Sequence, residues 1–241
     1  RHAQKFLVDE RDIALITARI RPLMKPDAFH PEGAYRIRSV YFDDWQDSAL
    51  RQNLSGVSPR SKFRIRIYNE NMDAIHLEQK IKAHDLTRKK SCRLTETECL
   101  SLLRGRAVRS AGGDRPLFTL LQTEMLLHRL LPRIIVEYER TAYTCRDGNV
   151  RVTFDRNLAS SDYVLRFPDQ ELPKRPVMAA GQHIMEVKYD EFLPGFIRKA
   201  LDTGKLERIT FSKYVLCRSH ALSGTSQKTA SLSFSDTNRL I

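Results

Sequence analysis

Along the chain the apolar positions change period several times, between the 2 of a half-buried strand and the 3.6 of an amphipathic helix. Lys5 to Val8 reads as a short strand. Asp9 then caps a helix whose stripe is Ile13, Ile16, Ile20 and Leu23, and Pro26 stops it. Tyr35 to Asp43 (YRIRSVYFD) is β-branched and aromatic and predicts a strand, and 44 to 54 predicts a helical turn. Lys62 to Tyr68 (KFRIRIY) and Ile75 to Lys82 (IHLEQKIK) alternate strictly across a turn containing Asn69, Asn71 and Asp73. A strand near Arg88 to Leu94 leads into a helix with Thr95 as N-cap and Glu98 three residues later, the signature of a capping box. Gly112-Gly113-Asp114 predicts a loop before a second helix, 117 to 131, closed by Pro132. Arg133 to Cys145 and Val150 to Asn157 pair as a hairpin around Asp147-Gly148. After a Pro-rich crossing from 168 to 176, Ile184 to Tyr189 is a strand, Pro194 to Leu201 a short helix and Phe211 to His220 a closing helix. About eight strands and five helices, without βαβ regularity or an internal repeat, predict an α+β fold. It would be a largely antiparallel sheet or barrel decorated by helices.

In a strand, residues i and i+2 share a face. Arg64 and Arg66 therefore oppose Phe63, Ile65 and Ile67, and Glu78, Lys80 and Lys82 oppose Leu77 and Ile81. Arg151, Thr153 and Asp155 oppose Val152 and Phe154, and Glu186 with Lys188 opposes Met185 and Val187. One such strand is ordinarily part of a sheet with its charged face in water. Four of them, beside helices that need an apolar surface to cover, point to apolar faces outward beneath the helices. The charges then line a cationic tunnel.

Composition sharpens this. Lys plus Arg number 41 against 29 Asp plus Glu, a net charge of +12. Like charges held so close repel by roughly a kcal/mol or more per pair at intermediate dielectric, so the tunnel calls for a multivalent anion. Nucleic acid, an anionic membrane and phosphorylated metabolites all carry the charge. Bases interleaved with acids on strand faces fit a closed tunnel better than a groove with stacking aromatics, so no nucleic acid is expected. With 41% hydrophobic residues the chain is not disordered. There is no apolar run of 18 residues and no signal-type h-region, and the expectation is a cytoplasmic protein. Residues 1–220 read as a single domain and 221–241 as a solvated Ser/Thr-rich extension. Cys92, Cys99, Cys145 and Cys217 lack C-x-x-C spacing and zinc-site histidines, so neither a disulfide framework nor a structural metal is indicated. Gly112-Gly113 has no P-loop sequence around it, and no nucleophilic triad can be placed. His76, His183 and Trp45 read as packing, surface or rim residues.

Two segments share the form E-x-K, Glu78-Gln79-Lys80 and Glu186-Val187-Lys188. Their carboxylates are either salt-bridge partners of the surrounding bases or ligands for Mg²⁺ or Mn²⁺ that bridges phosphate oxygens. In order from Lys5 to about Arg218, the runs YRIRSVYFD, KFRIRIY, HLEQKIK, EYERTAY, VRVTFDRNL, MEVKYDEFLP and FSKY resemble the VTC domain. This is the polyphosphate polymerase type within the triphosphate tunnel metalloenzyme superfamily. The resemblance implies an eight-stranded antiparallel β-barrel tunnel that passes the γ-phosphoryl of ATP to a polyphosphate chain. It gives catalytic positions to Arg64, Arg66, Lys80, Arg140, Arg151 and Lys188. Phosphate binding falls to Lys5, Lys89, Ser212 and Lys213, and Lys82 joins them from its place on the Lys80 face. Glu186 is implied as the principal ligand of Mn²⁺ or Mg²⁺, with Glu78 assisting. Ala3 stands where the family's first strand commonly carries an acid, which weakens the case for catalysis more than for anion binding. Water as acceptor would make the protein a tripolyphosphatase or nucleoside triphosphatase, and no turnover would make it a polyphosphate or inositol phosphate sensor. ATP and polyphosphate are the expected partners, and a membrane-protein partner at the cytosolic face is compatible with the resemblance.

Overall fold

The protein is described by a computed structural model covering residues 1–27, 33–84, 86–108, 114–210 and 212–223. Its strands are β1 (His2–Val8), β2 (Lys25–Pro26), β3 (Tyr35–Asp43), β4 (Arg60–Tyr68), β5 (Asn71–Ala83), β6 (Leu86–Leu94), β7 (Leu131–Cys145), β8 (Val150–Ser161), β9 (Arg175–Pro176), β10 (His183–Tyr189) and β11 (Glu207–Arg208). The helices are α1 (Glu10–Ile20), α2 (Ser48–Leu54), α3 (Glu96–Leu103), α4 (Pro116–His128), α5 (Gly195–Leu201) and α6, residues 213–223. Asp9 and Thr95 each accept from the backbone three residues on and close capping boxes on α1 and α3, as their sequences predict.

All strands join one sheet in the order β11-β1-β10-β8-β7-β3-β4-β5-β6, with β2 added to β7 and β9 to β8. Every pairing is antiparallel. The expectation of a closed eight-stranded barrel is corrected here: among the described residues no pairing joins β6 to β1 or β11, and the sheet is open. The basic row Arg88, Lys89, Lys90 and Arg93 on β6 gives a reason, because charge along an edge strand opposes further pairing.

The open sheet nevertheless curls. Five strand steps separate β10 from β5, which in a flat sheet would be about 24 Å at ~4.8 Å per step. Yet the Lys80 ammonium on β5 feels the charges of Glu186 and Lys188 on β10, and Lys62 on β4 feels Lys5 on β1. The sheet is therefore a trough, with the two sets of strands facing each other across its hollow.

Outside the trough, α1 and α5 cover Val152, Phe154, Met185 and Val187. In the same way α3 and α4 cover Phe63, Ile65 and Leu77 with Leu102, Phe118 and Leu121. These are the apolar strand faces that alternation assigned to the helices. Inside, the charge is not continuous. Ile37, Tyr41, Ile134, Val136 and Ile184 form a third buried cluster, with Ala49 and Leu50 of α2 and Tyr214, Val215 and Cys217 of α6. The closing helix thus fills part of the hollow and leaves the rest to the bases. Asp43 holds it there: its carboxylate accepts from the Tyr214 hydroxyl and from the Ala49 and Leu50 amides at 2.8 and 3.0 Å. Arg218 adds two hydrogen bonds to Asp47, at 2.9 and 3.1 Å.

Some local expectations differ from the structure. Leu23 lies beyond α1 and is exposed. Helix α4 ends at His128 rather than 131 because Arg129 turns into the left-handed region (φ 52°) and β7 already begins at Leu131, with Pro132 near its start. The hairpin turn at 147–149 is a three-residue 3₁₀ turn with Gly148 at φ 66°, so it is longer than the two-residue form. Gly112-Gly113, Phe211 and the tail 224–241 lie outside the described residues. All four cysteines are free, and no helix among the described residues is long and apolar enough to cross a membrane.

Candidate phosphate-binding site

The register of β4, β5 and β6 sets the charged residues in rows across the trough wall. One row holds Arg64, Glu78 and Ser91, and the next holds Lys62, Lys80 and Lys89. Glu78 is buried and accepts from Arg64 Nε at 2.7 Å and Nη2 at 2.6 Å, with Lys89 Nζ on its other oxygen and Arg66 at 4.0 Å. Burial alone would raise the Glu78 carboxyl, but Arg64, Arg66 and Lys89 outweigh it and bring it to about 2. Arg64 also donates to the Tyr41 hydroxyl (2.9 Å), and Arg66 to Ser39 Oγ (3.1 Å) and Tyr138 Oη (3.5 Å). These bonds hold two guanidinium groups in fixed orientation on one face.

The opposite wall comes from β1, β8 and β10. Glu186 is buried, has Lys5 as its register partner and sits 3.2 Å from Lys188 Nζ. Burial pushes its carboxyl up, and Lys188, Lys213 and Lys5 together pull it down to about 2. Asp155 takes a bidentate pair from Arg140 at 2.6 and 2.8 Å and a contact from Lys213 Nζ at 2.5 Å. Tyr138 lies beneath both cations, 5.3 Å from Arg140 and 4.9 Å from Lys213. Burial raises its hydroxyl pKa, and Arg140, Arg66 and Lys213 overcome that, so it ends below the ordinary tyrosine value. Arg151 pairs with Asp27 at 2.6 Å, and Ser212 Oγ accepts from Lys62 Nζ at 3.4 Å. Burial lowers the Lys5 ammonium to about 8, where Lys213, Lys80 and Lys188 offset the help of Glu186.

The residues expected from sequence thus meet around one hollow. Lys82 stands at its margin, in register with Arg60 and Thr87 and without an ion pair among the described residues. Lys62, Asp155, Tyr138 and Asp27 were not among the expected site residues. Lys62 was legible, being two positions before Arg64 on the same face. Asp27 lies on no periodic segment, so no local signal marks it. His183 is buried, with Nε2 2.8 Å from Glu10, and is a packed residue rather than part of this group.

Among the described residues no three His, Cys, Asp or Glu side chains gather as a metal cage. The donors do fit a divalent cation shared with a ligand. Beside Glu186 in register is Thr153, whose buried Oγ1 has no hydrogen-bond partner among the described residues. One carboxylate, a hydroxyl and phosphate oxygens suit Mg²⁺ or Mn²⁺. Glu78 is less available, since Arg64 and Lys89 already occupy both of its oxygens. Two cavities, of about 430 and 400 Å³, are lined by none of the expected residues, and Tyr138 alone of the residues named above for the hollow reaches the first. Convergent charge, rather than enclosed volume, marks the site.

The VTC domain model matches residues 1–221. No curated protein matches the sequence. Among solved structures, HpAC1 from Hippeastrum, described with a dominant triphosphatase activity, superposes with a TM-score of 0.50 at 14% identity, covering 90% of this chain and 94% of its own. A candidate adenylate cyclase from Bacillus halodurans gives 0.45 at 13% identity (77% and 78% covered), and PH1819 from Pyrococcus horikoshii gives 0.41 at 12% (89% and 98%). At these identities the Hippeastrum likeness speaks for the fold alone.

Proposed function

The chain belongs to the VTC domain family, and from that premise we propose that it is a polyphosphate polymerase-like phosphotransferase. It would transfer the γ-phosphoryl of ATP to the terminal phosphate of a polyphosphate chain. The observation that carries this reading is the hollow itself. Its lysines and arginines outnumber the carboxylates Glu78, Asp155, Glu186 and Asp27 by more than two to one, which leaves cationic charge for an extended phosphate chain to neutralise.

Phosphoryl transfer asks little covalent chemistry of a protein. A terminal phosphate oxygen of the chain attacks the γ-phosphorus, the bond to the bridging β,γ-oxygen breaks, and ADP leaves with that oxygen. Phosphate oxygens are ionised near neutral pH, so the nucleophile needs no general base. Arg64 and Arg66, held by Glu78, Tyr41 and Ser39, are oriented to neutralise the equatorial oxygens before reaction begins. Arg140, Arg151, Lys188 and Lys213 grip the remaining phosphates. Glu186, with Thr153 beside it, would hold Mn²⁺ or Mg²⁺, which supplies charge neutralisation across the phosphate oxygens. Glu78 serves as the organiser of Arg64 and Lys89.

A second reading has one observation behind it. The open sheet edge leaves Lys80 and Lys89 exposed, and water that reaches them could serve as acceptor and make the protein a triphosphatase. Incubation with ATP and Mn²⁺, with and without a short polyphosphate primer, followed by phosphorus NMR, separates the readings. Growing internal-phosphate signal that Glu186→Ala loses is the expected result. Orthophosphate alone would replace the polymerase by a hydrolase, and unchanged ATP would point to a binding module, consistent with Ala3 opposite Lys188 on β1.

A further inference from the structure

The lysines of the hollow are not equivalent. Lys89 has Glu78, Lys188 has Glu186 and Lys213 has Asp155 as carboxylate partner. Among the described residues Lys62 has only neutral ones: its Nζ donates to Asn53 Oδ1 of α2 at 3.2 Å and to Ser212 Oγ at 3.4 Å, and it lies 5.6 Å from the centre of the Tyr214 ring. Across β5 it faces Lys80 directly, and Lys80 in turn faces Lys89 on β6, so three ammonium side chains stand in one row over three strands. Like charges directly opposite each other on paired strands are destabilising. Two long hydrogen bonds to neutral groups and one ring contact are what the fold gains from the Lys62 ammonium among the described residues, set against the like charge it faces.

We infer that Lys62 is an anion-binding residue which, with Lys80 and Lys89, forms a lysine row seating phosphates of a chain beyond those held at Arg64. The inference rests on the reading of this face as a polyphosphate site, and it assigns to that site a ligand longer than one phosphate group. Opposite partners on adjacent strands place their Cβ atoms about 5 Å apart, so three lysines stand side by side along a line that a linear polyanion could follow. The charged groups that weigh most on Lys62 are all cations: Lys80 from β5, Lys5 from β1, and Arg64 and Arg60 from β4. Burial first and then these charges bring its ammonium to about 7, a value that an arriving anion would raise. Lys80 is more exposed, so its own lowered pKa weighs less.

Calorimetric titration of the full chain with tripolyphosphate tests this, run in EDTA, where turnover cannot proceed, and again with Mg²⁺. Lys62→Met is expected to bind about tenfold more weakly than the wild type, the effect of losing one charge-assisted contact. Its thermal midpoint without anion should lie above that of the wild type, because a like-charge contact has been removed. Lys90→Met, whose register partner Gln79 lies on the face of β5 opposite to that of Lys80, should bind as the wild type does. Unchanged affinity of Lys62→Met, or a lower midpoint without anion, would overturn the inference and leave the proposed function standing. Failure of the wild type to bind in both buffers would remove the polyphosphate reading and this inference with it.

Discussion

Arg140 and Asp155 show how a charge can be placed for binding and for stability at once. The carboxylate is fully buried, and its affinity for protons is held below the ordinary range because Arg140 and Lys213 outweigh the cost of burial. Replacing Arg140 with Leu leaves that carboxylate Lys213 as its one cation among the described residues, and the expected loss is about 3 kcal/mol by urea denaturation, the low end for a broken buried pair. Glu186 is a different case. Glu186→Gln keeps the volume and removes one negative charge among Lys5, Lys188 and Lys213. On the proposed polymerase reading elongation with Mn²⁺ should fall sharply, while metal-free tripolyphosphate should bind several-fold more tightly, and calorimetry in EDTA reads the second effect. A purely structural role for Glu186 would weaken both.

The element with the greatest influence on the hollow is α6, which carries Lys213 into the charged half and Tyr214, Val215 and Cys217 into the apolar half. Tyr214 is tied to Asp43, which also caps the start of α2, so two helices share one carboxylate. Burial and the Asp43 charge push the Tyr214 hydroxyl well above the ordinary range, and it stays a donor at any working pH. Tyr214→Phe removes that donor. We expect a loss of about 2 kcal/mol, as for a hydrogen bond to a charged group, and weaker anion binding as Lys213 loses its support. For contrast, Thr95→Ala breaks the capping box of α3, outside the hollow, and should cost about 1 kcal/mol without touching affinity.

Taken together, the charges give the anion-free molecule an unusual pH profile. Lys62 and Lys5 titrate near 7 and 8 in the fold, against 10.5 when free, so between those values the unfolded chain binds more protons. Stability from these two groups therefore rises as pH climbs from about 7 toward 10.5. Glu78 and Glu186 contribute stability that is complete above 4.5 and is lost as pH falls through about 2. Thermal midpoints without anion should accordingly increase from pH 7 to 9. Saturating tripolyphosphate should flatten or reverse that slope, because a bound anion restores the lysine pKa values. An unchanged slope with anion would place the ligand away from this face.

Period-two alternation showed which face of β4, β5, β8 and β10 is charged, and the capping boxes at Asp9 and Thr95 and the strand YRIRSVYFD were legible because each depends on residues within a few positions of one another. The family was legible too, from several such runs in order. Arg140 was supported only by resemblance, since its face-mates Val136 and Tyr138 are not charged, and its partner Asp155 arrives from the neighbouring strand. The open edge at β6, the curl that brings Lys80 toward Glu186, and the intrusion of α6 into the hollow were not legible. Lys62 meets Ser212 across 150 positions, and Asp43 meets Tyr214 across 171. Local propensity and periodicity act over a turn or a strand pair, whereas which charge finds a partner and which is left for a ligand depends on side chains that only folding brings within a few ångströms.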